Sequence, residues 1–266
     1  MRRTGKRSSL SAMAMVVSGT SNGAFAGCAL PGTATPTAAA KTPFEVPDTT
    51  IAIADSELRF PVRRIYCIGR NYAEHAREMG ATADRSQPVF FSKPADAIVA
   101  DGADVPYPPA TGDLHHEVEL VVALASGGHD IAVADAPACI YGYGVGLDLT
   151  RRDLQARAKA GGLPWDVGKG FDHSAPVSAL RRAGETGHPA GGALTLHVNG
   201  VLRQHGDIAG MVFTVAEVIH ELSRLYTLQA GDLIFTGTPA GVAALVRGDT
   251  FRAAFADVAT LEGRIV

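Results

Sequence analysis

From Pro47 to the C-terminus, apolar residues arrive in short runs, most of them closed by a glycine or a proline. Runs of that length bounded by turn residues mark strands rather than long helices. "RRIYCIG", "PVFFSKP", "ADAIVA", "HEVELVVAL", "YGYGVGLDLT" and "GDLIFTG" all fit the description. "ALTLHVNGVLRQ" alternates apolar and polar residues around Asn-Gly, the local signature of a hairpin. Helical spacing appears in "NYAEHAREMG", which stops at Gly80, in "RRDLQARAKAG", and most clearly in the amphipathic "TVAEVIHELSRLY". "GLPWDVGKGFDHSAPVS" carries turn residues throughout and reads as a long loop, a kind of segment that often carries function. The 30 glycines and only 6% aromatic residues suit a turn-rich chain with many short strands. No repeat and no linker-like boundary divides residues 46–266, so one α+β domain, mostly strand, is expected there.

The 266 residues are 46% hydrophobic, enough for a sizeable core, and the net charge of −3 leaves no basic footprint for nucleic acid. No segment approaches the apolar length that spans a bilayer. Cys28, Cys67 and Cys139 are scattered and form no CxxC, so neither a disulfide framework nor a zinc site is expected. Residues 1–45 differ in kind. After "MRRTGKR", Ser8 to Ala40 contains no charged side chain. The basic start, the short apolar "LSAMAMVV" and the small-residue "AFAGC" read as an export signal with Cys28 as lipid acceptor. A disordered extension, or a start upstream of the one used, accounts for the same residues.

In "DLHHEVELVVAL" two glutamates stand one residue apart where an apolar run begins. On a strand, Glu117 and Glu119 share a face, and two carboxylates side by side on a half-buried strand repel each other and lose hydration. A solvated strand face is one explanation. A divalent cation is the other, since its charge favours both carboxylates in ionised form. Hard oxygen ligands suit magnesium, manganese or calcium, and Asp148, inside "GYGVGLDLT", is a third acid whose neighbours predict burial. His75 and Glu78 lie three apart on a predicted helix and form either a general base with its orienting carboxylate or an ordinary surface pair. Lys169, flanked by glycines, is either an exposed lysine or a cation for a developing oxyanion or enolate. "GTPAGV" lacks the lysine and spacing of a phosphate loop, and no G-x-S-x-G is present.

"IYCIGRNYAEHAREMG", "KPADAIV", "HHEVELVVAL", "GYGVGLDLTRRDLQ", "GLPWDVGKGFDHSAPVS" and "GDLIFTGTPAGV" occur in this order, with matching spacing, in the fumarylacetoacetate hydrolase family. The chain resembles that family from about residue 44 to its end, and looks most like the fumarylpyruvate hydrolases of gentisate degradation. The resemblance implies a mixed, β-rich roll, usually homodimeric, with Mg2+ (or Mn2+ or Ca2+) on Glu117, Glu119 and Asp148. It implies His75 and Glu78 as a water-activating dyad and Lys169 as the catalytic lysine. Arg70, Arg152, Gln155 and Thr238 would line the substrate pocket, and Lys93 is also near the site in relatives. The implied reaction is hydrolysis of a carbon–carbon bond in a small diketo acid, an acylpyruvate such as fumarylpyruvate. Oxaloacetate decarboxylation and isomerisation or decarboxylation of an unsaturated hydroxy-diacid use the same constellation, and a non-catalytic carboxylate-binding protein is the more remote alternative. Such catabolism is expected in the cytoplasm, whereas the first 28 residues hint at export or lipid anchoring.

Overall fold

The strand Val118–Leu124 runs through the interior of an eight-stranded sheet and is buried along its whole length. Its neighbours, Asp232–Phe235 and Ile140–Leu147, are both antiparallel to it. Because side chains alternate, Val118, Leu120, Val122 and Leu124 enter one apolar cluster while Val121 and Ala123 enter another. The expected half-buried strand is therefore corrected: layers cover both faces, which is why the run is almost continuously apolar.

The computed structural model describes residues 43–266 except 79, 81–83 and 87. The export-signal and disordered-extension readings cover residues 1–45, of which 1–42, Cys28 included, lie outside the described residues. Pro47–Val266 is one unit with an α+β, strand-rich architecture. The large sheet is mixed, since Arg64–Gly69 runs parallel to Asp232–Phe235 while its other neighbour, Val89–Lys93, is antiparallel. A five-stranded sheet, in the order Val201–Asp207, Ala193–Val198, Thr250–Phe255, Ala259–Ile265, Asp104–Val105, packs Leu196, Ala253 and Leu261 into the cluster that holds Leu120. Its hairpin turns at Asn199 and Gly200, both at positive φ (52° and 76°), as the sequence predicts. The helices are α1 (Ala73–Glu78), α2 (Arg152–Gly161), α3 (Asp166–Lys169), α4 (Ala183–Thr186) and α5 (Val215–Leu225). Thr214 and Glu217 form a capping box at the start of α5. Among the described residues no helix is long and apolar enough to cross a membrane.

Four segments depart from expectation. "ADAIVA" begins as a single helical turn over Ala95–Ala97 behind Pro94, and only Ile98–Ala100 is strand. The long loop contains α3 and the strand Ala175–Val177, which pairs with Ile98–Ala100. Most consequential, "HEVELVVAL" and "YGYGVGLDLT" are each broken at an acid. Leu114–His116 and Thr150–Arg151 belong to a separate three-stranded sheet, so both chains change sheets between Val118 and His116 and between Leu147 and Thr150. The breaks coincide, because the Asp148 amide donates to the Glu117 carbonyl at 2.9 Å. Two paired strands thus turn a corner together, with Glu117 and Asp148 side by side at the bend.

Candidate active site

That corner gathers the acids. Glu117 and Asp148 are paired across it, and Glu119 lies two residues along the buried strand. Carboxylate oxygens of the three lie within 4.8 Å of one another, and all three residues are buried. Glu119 is tied from a further direction: the Gly237 amide donates to its Oε2 at 2.7 Å. Gly237 has φ +94, and a Cβ there would stand 2.7 Å from the Asn71 Cβ, so no other residue fits this approach.

Cations face the acids at close range. Lys169, at the end of α3, donates to Glu117 Oε2 at 2.7 Å and to Asp148 Oδ2 at 2.5 Å. Arg152, at the start of α2, donates to Glu117 Oε1 at 2.5 Å and to Gln155 Oε1 at 2.6 Å. Lys93 contacts Asp148 Oδ1 at 2.8 Å, donates to the Leu149 carbonyl, and makes a short bond to the Lys169 carbonyl, so it anchors the loop that carries Lys169.

These contacts set the charges. Burial opposes ionisation of Glu117, but Lys169 and Arg152 outweigh it and hold its carboxyl well below the usual carboxylate range. For Glu119, burial and the neighbouring Asp148 and Glu117 charges all push the carboxyl upward. Burial works against the Lys169 ammonium, yet Asp148 and Glu117 prevail and raise it above its ordinary value. Glu119 is thus the acid whose charge the protein's own cations leave least compensated.

His75, on α1, lies with Nδ1 3.3 Å from Glu78 Oε2, and the Glu78 carboxylate accepts from the Gly241 amide at 3.2 Å. A carboxylate only accepts, so Nδ1 carries the hydrogen of that bond, and Nε2 is the ring nitrogen that carries the lone pair in the neutral form. Arg70 occupies left-handed backbone, φ 60°, costly for a side chain of this size. Asn71 holds the turn: its amide donates to the Phe213 and Thr236 carbonyls and its Oδ1 accepts from the Phe213 amide.

One cleft is lined by Arg70, His75, Glu117, Glu119, Asp148, Arg152, Gln155, Lys169 and Thr238. Glu78 and Lys93 stand behind it and act on His75 and Lys169. The sequence reading missed Phe91, Lys159 and Trp165, which line the same cleft. Lys159 lies four residues beyond Gln155 on α2, so helical periodicity carried a signal for it; Phe91 and Trp165 had none.

The donor set fits a divalent metal ion. Three carboxylates supply hard oxygen ligands, the arrangement preferred by magnesium, manganese or calcium. Asp148 Oδ1, although within ion-pair distance of Lys93, accepts no aligned hydrogen bond despite being buried. That oxygen and the poorly compensated Glu119 are what a cation would satisfy.

The model of the fumarylacetoacetate hydrolase C-terminal family matches residues 64–266. A crystal structure of fumarylpyruvate hydrolase from Pseudomonas aeruginosa, in complex with Mn2+ and pyruvate, is 46% identical, with a TM-score of 0.83 over 85% of this chain and 99% of that one. A candidate fumarylpyruvate hydrolase from Burkholderia cenocepacia is 53% identical, with a TM-score of 0.80 over 85% and 98%. Among curated proteins, an oxaloacetate tautomerase of Escherichia coli (strain K12) is 41% identical over 199 residues, 74% of this chain and 90% of that protein.

Proposed function

Because the chain belongs to the fumarylacetoacetate hydrolase family, we propose that it is a metal-dependent hydrolase that cleaves the carbon–carbon bond of an acylpyruvate, fumarylpyruvate in the first instance, to fumarate and pyruvate. The observation that carries this reading is the Lys169 ammonium bridging Glu117 and Asp148 in the cleft that His75 also lines. The 46% and 53% identity to the fumarylpyruvate hydrolase structures supports taking fumarylpyruvate as the first substrate to test.

A divalent cation on Glu117, Glu119 and Asp148, magnesium or manganese, would supply Lewis acidity toward the keto and enol oxygens of the substrate. The chain's own residues do the rest. His75 Nε2 takes a proton from water, with Glu78 holding the ring through Nδ1. The oxygen of that water bonds to the distal carbonyl carbon as the C=O π pair moves onto its oxygen, a pair that re-forms the double bond in the next step. The carbon–carbon bond to the pyruvate unit then breaks, its electron pair leaving as an enolate. Two N–H groups of Lys169 are held by Glu117 and Asp148, which leaves a third for the enolate oxygen. The proton held by His75 returns to the enolate carbon. Arg152 is engaged by Glu117 and Gln155, whereas Arg70 makes no hydrogen bond or ion pair among the described residues, so Arg70 is the fork for the substrate carboxylate. In this reading residues 46–266 are the catalytic domain, working as a homodimer on a cytoplasmic substrate.

The 41% identity to an oxaloacetate tautomerase supports a second reading, in which the same residues move a proton between carbon and enol oxygen without adding water. Turnover of fumarylpyruvate, acetylpyruvate and oxaloacetate, compared side by side with magnesium, with manganese and with neither, tests both. Metal-dependent release of pyruvate from fumarylpyruvate is expected. Faster tautomerisation of oxaloacetate would favour the second reading, and no turnover of any of the three would overturn the enzymatic assignment.

A further inference from the structure

We infer that Gln204 is a positioning residue that turns the Thr238 hydroxyl into a hydrogen-bond donor for an acceptor oxygen of the bound keto acid, an inference that rests on the cleft being the keto-acid site. Gln204 lies on the second strand of the Asn199–Gly200 hairpin, is 1% exposed and does not line the cleft. Its Oε1 accepts from the Val118 amide at 3.0 Å and lies 2.8 Å from His116 Nδ1. Its Nε2 donates to Thr238 Oγ1 at 2.8 Å and to the Pro239 carbonyl at 2.9 Å.

The direction of this amide is fixed by backbone. The Val118 N–H only donates and the Pro239 carbonyl only accepts, so a reversed amide would set donor against donor and acceptor against acceptor. Both lone-pair positions and both N–H groups of Gln204 are then spent, and His116 Nδ1 must carry its hydrogen. Thr238 Oγ1 receives a hydrogen from Gln204, so its own O–H points elsewhere. Among the described residues it has no acceptor, although Thr238 is 3% exposed and lines the cleft. A buried donor without an acceptor is costly, and a ligand oxygen relieves that cost. The neighbouring Gly237 amide is fixed on Glu119, which holds the hydroxyl in register with the acids.

Gln204→Glu tests this, because it puts an oxygen where Thr238 now receives a hydrogen and draws the hydroxyl away from the ligand. The readouts are pyruvate affinity of the magnesium-loaded full chain by calorimetry, and KM and kcat with fumarylpyruvate. A hydrogen bond to a charged acceptor is worth roughly tenfold or more. Pyruvate affinity is expected to fall by that factor in Gln204→Glu and in Thr238→Val, with no further fall in the double variant. In a Thr238→Ser background Gln204→Glu should still cost the full factor. An equal loss on the Val background as on the natural Thr, or unchanged pyruvate binding in a folded Gln204→Glu protein, overturns the inference. Should Gln204→Glu not fold, Gln204→Met with and without Thr238→Val gives the same comparison. A natural chain that neither binds pyruvate nor turns over any keto acid would instead remove the functional reading.

Discussion

The ammonium of Lys169 lies 2.5 Å from Asp148 Oδ2, with both side chains buried. Removing one member of a buried ion pair leaves an uncompensated charge, at a cost of roughly 3–5 kcal/mol. Lys169→Met is therefore expected to melt at lower temperature without metal and to regain stability when magnesium or manganese binds the freed carboxylates. Turnover should stay down by about a hundredfold or more, because the donor proposed for the enolate is gone. Melting curves with and without the ion, beside kcat, check this. Failure of either ion to raise the melting temperature would argue against a metal on these acids.

On the proposed mechanism the His75–Glu78 pair serves chemistry rather than binding. Loss of a general base costs about 10²- to 10⁴-fold in rate. His75→Ala is expected to lose turnover by that factor while still binding manganese and pyruvate, measured by calorimetry. Glu78→Gln should show a smaller fall in kcat, since the ring keeps a neighbour but loses the anion that fixes its tautomer. Lost pyruvate binding in His75→Ala would move the histidine from catalysis to substrate recognition.

What was legible in the chain was local. The Asn199–Gly200 turn and the amphipathic helix over Val215–Leu225 depend on residues close in sequence, and both formed where expected. The breaks at Glu117 and Asp148 depend on where a second sheet lies, which strand propensity does not encode. The four-residue α3 is too short for a helical period to register, yet it carries Lys169. Glu-x-Glu pointed to the acids, but the bridging of Glu117 and Asp148 by one ammonium had no signature in the sequence. Gln204 reads as an ordinary polar residue of a hairpin until its partners in other strands are known.

Lys159 gives the cleft a pH dependence. Lys159 is exposed at the cleft mouth, yet partial loss of hydration there, then the Arg152 charge, lowers its ammonium to about 8, under the ordinary lysine value. A lowered lysine loses its proton as pH rises through about 8, where an unperturbed lysine would keep it. The cleft then holds one cation fewer for an anionic substrate. The KM for fumarylpyruvate is expected to rise several-fold, roughly three- to tenfold, above about pH 8. A pH profile of kcat/KM in Lys159→Met should lack that alkaline limb and resemble the deprotonated natural enzyme throughout. Retention of the limb in the variant would assign it to another group.

Asn71 couples the stability of the fold to the placement of Arg70. Its side chain is 1% exposed and satisfies two carbonyls and one amide, those of Phe213 and Thr236. Its own carbonyl accepts from the Val212 amide, so the loop entering α5 and the end of the strand Asp232–Phe235 meet on this one residue. Asn71→Ala strands three buried backbone groups at about 1–3 kcal/mol each, which predicts a loss of roughly 3 kcal/mol or more and a fall in Tm of about 6–12 °C. Asn71→Asp should be worse, since an oxygen replaces the donor between two carbonyls. Because Arg70 holds a left-handed backbone only while its neighbour is pinned, the KM of Asn71→Ala, measured well below its Tm, is expected to rise as well. A lowered Tm with an unchanged KM would show that Arg70 keeps its conformation without Asn71, and would limit Asn71 to joining the two loops.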